Sequence, residues 1–180
     1  MTFSVIVKNK LEADRLASAS GLHPASYTWN DNGSLLSDGV HSYTYDAAKR
    51  LIAASSPSGN ASLSYNGDGV RVGRTVNGVT TSFVPDVNTP LPAVLESHGA
   101  ATTRYLYGLD LLAERSGTEW LYYHADALGS TRSLTDGLGD VAGSYVYAPF
   151  GSPLVAEGPA VDFRFTGEQA EYGDCVPTGR

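Results

Sequence analysis

Tyr45-Asp46-Ala47-Ala48-Lys49-Arg50-Leu51 recurs in two further versions along this 180-residue chain. Trp29-Asn30-Asp31-Asn32-Gly33-Ser34-Leu35 begins sixteen residues before it, and Tyr65-Asn66-Gly67-Asp68-Gly69-Val70 begins twenty residues after it. Each version reads aromatic, Asp or Asn, two variable positions, Gly or Lys, and soon an aliphatic residue. A period of this size marks a repeat architecture, in which one supersecondary unit is laid beside the next. The residues explain the unit. Tyr43-Thr44-Tyr45 and Tyr27-Thr28-Trp29 put two rings on one face of a strand. The Asp or Asn that follows bonds its own main chain, and the Gly tolerates a left-handed backbone, so the chain reverses there. Leu35-Leu36 and Leu51-Ile52 then start the return strand. Each unit is a β-hairpin with an aromatic anchor, and lone hairpins are marginal in water, so the units need neighbours.

The composition agrees with many short strands and tight turns: 20 Gly, 9 Pro and 11 Tyr, with one Met and 17% charged residues. The net charge of −7 argues against nucleic acid or heparin as a partner, since their phosphates and sulfates demand basic patches. Cys175 is the single cysteine, which excludes an intrachain disulfide and a cysteine-based zinc site. Met1–Val7 lacks the basic start and long apolar stretch of a signal peptide, and no window reaches the ~18 apolar residues of a membrane span.

Along the chain, Phe3–Val7 reads as a first strand, and Leu11, Leu16 and alternating charges place a short helix over 9–19. Asn77-Gly78 between Val76 and Val79 is a strong two-residue hairpin turn. Pro85, Pro90, Pro92 and Gly99 break the rhythm, so a connection or strand exchange is expected over 85–100. Strand patterns resume at Arg104–Gly108, Leu109–Glu114, Glu119–His124, Arg132–Asp136 and Val141–Tyr147.

Together the repeats and the later stretch YYHADALGSTRSLTDGLGDVAGSYVYAPFG, from Tyr122 to Gly151, resemble the RHS/YD-repeat proteins, the group that includes teneurins and the cocoon of Tc toxins. The later stretch is similar to their RHS-associated core, and Phe165-Thr166-Gly167-Glu168 to the motif that follows it. YNGDGVRVGRTVNG at 65–78 is similar to a repeat variant found just before that core. The resemblance implies an all-β fold, with sequential antiparallel hairpins forming a curved sheet, an arc of a β-spiral shell around a toxic or variable segment. It divides the chain into an N-terminal strand and short-helix segment (1–26), YD-type hairpins (27–84), a Pro-rich connection (85–100), core-like hairpins (101–170) and a divergent tail (171–180). Several family members end in an aspartate-based self-cleavage site, but Glu171–Arg180 departs from that pattern and no cleavage residue carries over.

The residues singled out are structural. Trp29, Asn30, Gly33, Tyr45, Asp46, Tyr65, Asn66 and Gly69 form the repeat turns. Asp126, Gly129, Ser130, Arg132, Tyr147, Phe150 and Gly151 belong to the core-like stretch, where the family reading makes Asp126–Ser130 a turn. His124, Asp126 and Ser130 invite a Ser/His/Asp reading, but nearness in sequence is poor evidence for convergence in space. Asn30–Gly33 and Asn66–Gly69 lack the late bidentate acid of a calcium loop, and the four His are scattered. The expectation is therefore a non-enzymatic scaffold, without cofactor, metal or catalytic residue. It would self-associate through open strand edges into an extracellular or cell-surface filament or layer. The alternative is a component of a toxin-encapsulating system with a cargo polypeptide as partner. A module binding a surface glycan through its tyrosines ranks lower.

Overall fold

A computed structural model of the chain describes residues 8–12, 15–20, 25–88, 92–149 and 151–170. These form seventeen strands and one short 3-10 turn, with no helix long and apolar enough to cross a membrane among the described residues. The fold is all-β and built from successive antiparallel hairpins, as the repeat pattern requires. The expected strand at 3–7, the tail at 171–180 and Phe150 lie outside the described residues.

The chain divides into two compact units, residues 1–63 and 64–180. The first opens with a three-stranded antiparallel sheet of β1 (Lys8–Glu12), β2 (Arg15–Ser20) and β3 (Ala25–Ser26). This corrects the helix expected over 9–19: the leucine spacing suits either element, and pairing of β1 with β2 decides for the strand. β4 (Thr28–Trp29), β5 (Leu35–Ser37), β6 (Ser42–Tyr45), β7 (Leu51–Ser56) and the start of β8 (Gly59–Tyr65) follow, each paired with the strand before it from β5 onward. Trp29 reaches back, its Nε1 donating to Leu16 O at 2.9 Å.

The second unit runs from β9 (Arg71–Val76) and β10 (Val79–Asp86) through β11 (Ala93–His98), β12 (Thr102–Tyr107) and β13 (Leu111–Ser116). It continues with β14 (Glu119–Ala125), β15 (Thr131–Thr135), β16 (Val141–Tyr147) and β17 (Pro153–Glu157). From β10 onward each strand again pairs antiparallel with its predecessor. The connection expected over 85–100 is shorter than its prolines suggest, because Pro85 sits within β10 at a register shift against β11. A strand tolerates proline at such an irregularity, where no ladder hydrogen bond is lost.

One turn recurs with the same wiring. The amide of its fourth residue donates to the carbonyl of its first in Asn30–Gly33, Asp46–Lys49, Asn66–Gly69, Asp126–Gly129, Asp136–Gly139 and Ala148–Gly151, at 2.9–3.1 Å. In the first five, the Asp or Asn Oδ1 also accepts the amide of the fifth residue, at 2.9–3.0 Å. An Asx side chain thus replaces backbone partners that the reversal removes.

Pairing sorts the second unit's side chains onto two faces. Tyr105, Glu114 and Leu121 lie opposite one another on one face, and Tyr123, Leu134 and Gly143 form the next row. Arg104, Arg115 and Trp120 alternate onto the other face. Trp120 stacks on Tyr122 there, centroids 6.1 Å apart, with the Arg115 guanidinium over its ring.

Candidate functional site

After β17 the chain turns at Gly158 and residues 158–170 lie as a strap across the Tyr105–Tyr123 face of the second unit. Gly158 has φ +100, and a Cβ there would stand 2.3 Å from Ala142 O, so this turn depends on glycine. Val161 packs with Leu134 and Tyr145 as a buried cluster flanked by Leu121, Tyr123, Ala142, Tyr147 and Ala156. Phe163 meets the Tyr105 ring edge-on at 5.0 Å, and Phe165 meets Tyr147 at 5.6 Å.

The strap also borrows the sheet's polar groups. Thr131 donates its amide to Arg164 O (2.9 Å) and its hydroxyl to Phe163 O (3.0 Å), while Ser130 Oγ accepts the Thr166 amide at 3.0 Å. Tyr145 donates to Pro159 O at 2.5 Å. At the centre lies Asp162. Its Oδ1 pairs with Arg74, and its Oδ2 accepts Tyr105 Oη (3.3 Å) and Gln169 Nε2 (3.4 Å). Arg74 also donates to Ala170 O at 2.9 Å, and Arg71 to Gln169 Oε1. Both guanidiniums stand over the Phe83 ring, at 5.6 and 5.7 Å.

Beneath the strap is a second carboxylate. Glu114 is 8% exposed, and Tyr123 donates its hydroxyl to Glu114 Oε2 at 2.5 Å. Burial pushes the Glu114 carboxyl up, the Tyr123 hydrogen bond opposes this, and the Asp162 charge adds to it. Tyr123 and Tyr105 are pushed well above the ordinary phenol, first by burial and then by the charges of Glu114 and Asp162 respectively. No group of three or more metal-ligating side chains occurs among the described residues.

The residues singled out in the sequence fall into this frame unevenly. Asn30, Gly33, Asp46, Asn66 and Gly69 stand in the repeat turns. Gly129 and Ser130 touch it directly, since a Cβ on Gly129 would lie 3.3 Å from Thr166 O. Gly151 backs onto Phe165 in the same way, at 2.7 Å. Tyr147 lines a small cavity of about 90 Å3 with Arg164 and Phe165, and its buried hydroxyl has no hydrogen-bond partner. Arg132 lies 4.0 Å from Asp126. His124 bonds Thr135 and Asp126 is committed to its turn, so no triad forms with Ser130. The sequence reading missed Arg74, Glu114, Asp162 and Gln169. Arg74 and Asp162 are 88 positions apart, a pairing that no local spacing signals.

The teneurin YD-shell family model matches residues 9–171. The chain belongs to that family. Two curated relatives are the tRNA3(Ser)-specific nuclease WapA of Bacillus spizizenii and the tRNA nuclease WapA of Bacillus subtilis strain 168. Each is 30% identical to this YD-shell chain over 73% of its length. The chain spans 6% of either relative. Their names contradict the expectation of a non-enzymatic scaffold: relatives that share this segment are named as tRNA nucleases. Among solved structures, TcdB2-TccC3-Cdc42 and TcdB2-TccC3-TEV superpose with TM-scores of 0.54 at 10% and 12% identity. They cover 92% of this chain and 11% of theirs, a likeness of fold. The role of the YD-shell segment itself is structural.

Proposed function

We propose that this chain is part of the wall of a shell that holds a toxic polypeptide away from solution, with the strap acting as the wall's own internal brace. The observation that carries the reading is the strap itself. Val161 and Phe163 are 4% and 9% exposed against the sheet, so one face of the second unit is covered by the chain's own continuation. The family match and the nuclease relatives support a cargo of nuclease type. Because the chain is a small part of those relatives, the rest of the wall comes from further strands, either of a longer polypeptide or of other copies. β17 offers an edge for them, with Leu154 67% and Val155 37% exposed. Such a shell would work outside the cell or at its surface.

The test is protection of cargo. Native particles would be isolated from culture medium and cells, weighed by light scattering and treated with protease before and after urea. A particle larger than the 19.0 kDa chain, holding a polypeptide cleaved only after urea and degrading tRNA only when opened, is the expected result. A bare monomer with nothing protected in either fraction would overturn the reading.

A further inference from the structure

Where the strap meets the end of β16, Tyr147 and Arg164 border the cavity of about 90 Å3, and each brings an unused donor to it. The Tyr147 hydroxyl is buried and meets no hydrogen-bond partner among the described residues. A buried hydroxyl left unpaired is costly, and such groups are almost always satisfied in folded proteins. Arg164 gives its Nε to Val161 O at 2.9 Å, but among the described residues its two terminal nitrogens bond nothing. The guanidinium is close enough to act on the hydroxyl. Burial pushes the Tyr147 hydroxyl up to about 12, and the Arg164 charge pulls against that rise.

The other groups around the cavity narrow its ligand. Gln169 borders it, but its side-chain amide is engaged by Arg71 and Asp162. Pro153, Phe165 and Ala170 offer carbon surface, and the Phe165 ring is held edge-on against Tyr147. Glu168 is exposed, so water and salt screen its charge. Two donors without an acceptor, one of them a planar cation, suit a carboxylate. The volume equals the share of roughly three waters, which admits a two- or three-carbon acid and excludes an aromatic one. A lone guanidinium among carbon walls suits a monoanion better than sulfate or phosphate.

We propose that this cavity binds a small aliphatic monocarboxylate of the size of acetate or propionate. Its carboxylate accepts from the Arg164 guanidinium and the Tyr147 hydroxyl, and its carbons lie against Phe165 and Pro153.

Amide NMR and titration calorimetry of the full chain with propionate, at constant ionic strength, test this alongside thermal unfolding. Propionate shifts the Gly151 and Phe165 amides saturably in the millimolar range. Propionamide, of the same shape without the charge, and benzoate, too large for the cavity, do not. Tyr147→Phe weakens propionate binding about tenfold or more, the loss of one hydrogen bond to a charged group. The same change leaves Tm unchanged or higher, because the hydroxyl has no partner to lose. Glu168→Gln, at an exposed site, removes a like charge and tightens binding. The proposal is overturned if propionate gives no saturable shift, in which case ordered water alone satisfies the hydroxyl. It is equally overturned if propionamide binds as well as propionate, if Tyr147→Phe binds like the parent chain, or if Glu168→Gln weakens binding.

Discussion

Asp162→Ala removes the centre of the strap and separates two classes of ion pair. The Arg74 and Asp162 side chains are 17% and 23% exposed, so the pair is neither fully buried nor on the surface. Breaking a buried pair costs about 3–5 kcal/mol and a surface pair about 0–1. The alanine also frees the Tyr105 hydroxyl and Gln169 Nε2, both near the outer limit of hydrogen-bond length. One term runs the other way, since Glu114 loses a neighbouring negative charge. The net cost is about 2–3 kcal/mol. Amide exchange reads it best, because the two units need not unfold together. The Thr131 amide is bonded to Arg164 O and the Ala170 amide to Asp162 O, and both are released when the strap lifts. Their exchange should accelerate roughly 30- to 150-fold. Arg104→Ala is the control. Its pair with Glu96 is 2.8 Å long but 61% exposed on the arginine side, so it should cost less than about 1 kcal/mol. If Asp162→Ala accelerates these amides no more than Arg104→Ala does, the strap is not held by this pair.

Glu114→Gln should change how stability depends on pH. The folded carboxyl is raised above its unfolded value. Its contribution is therefore fully present below the unfolded value and is lost as pH rises through the folded one. The stability of the glutamine variant relative to the parent should grow as pH rises above about 4, the ordinary carboxyl value, and a constant difference across a Tm series would refute this. Gly158→Ala combines a φ of +100 with a 2.3 Å approach to Ala142 O and should cost at least about 2 kcal/mol. Gly137→Ala, with nothing within 4 Å, should stay within about 0.5 kcal/mol in the same thermal melts. Phe163→Ala should cost about 3–5 kcal/mol and Trp120→Ala less than about 2, because Trp120 is half-exposed on the face without a strap. Urea titrations that place the two in the opposite order would contradict the assignment of faces.

The repeating hairpin was legible in the chain because its determinants are local. An Asx side chain reaches an amide four residues on, as Asp46 reaches Arg50 and Asp126 reaches Ser130, and nothing distant is needed. Alternation of Tyr43 with Tyr45 and the Asn77-Gly78 turn are equally short-range. Even Lys49 was visible as the lysine standing where sister turns carry glycine. What the sequence by itself determined is therefore the unit and its succession. Which element forms over 9–19 was not settled locally, because Leu11 and Leu16 fit a helix and pairing with a neighbour chose the strand. The choice of buried face, the strap and the Arg74–Asp162 and Tyr123–Glu114 contacts were decided only by tertiary structure. A carboxylate gains or loses by burial according to what stands opposite it, and here the partners of Asp162 come from strands 57 and 88 positions away.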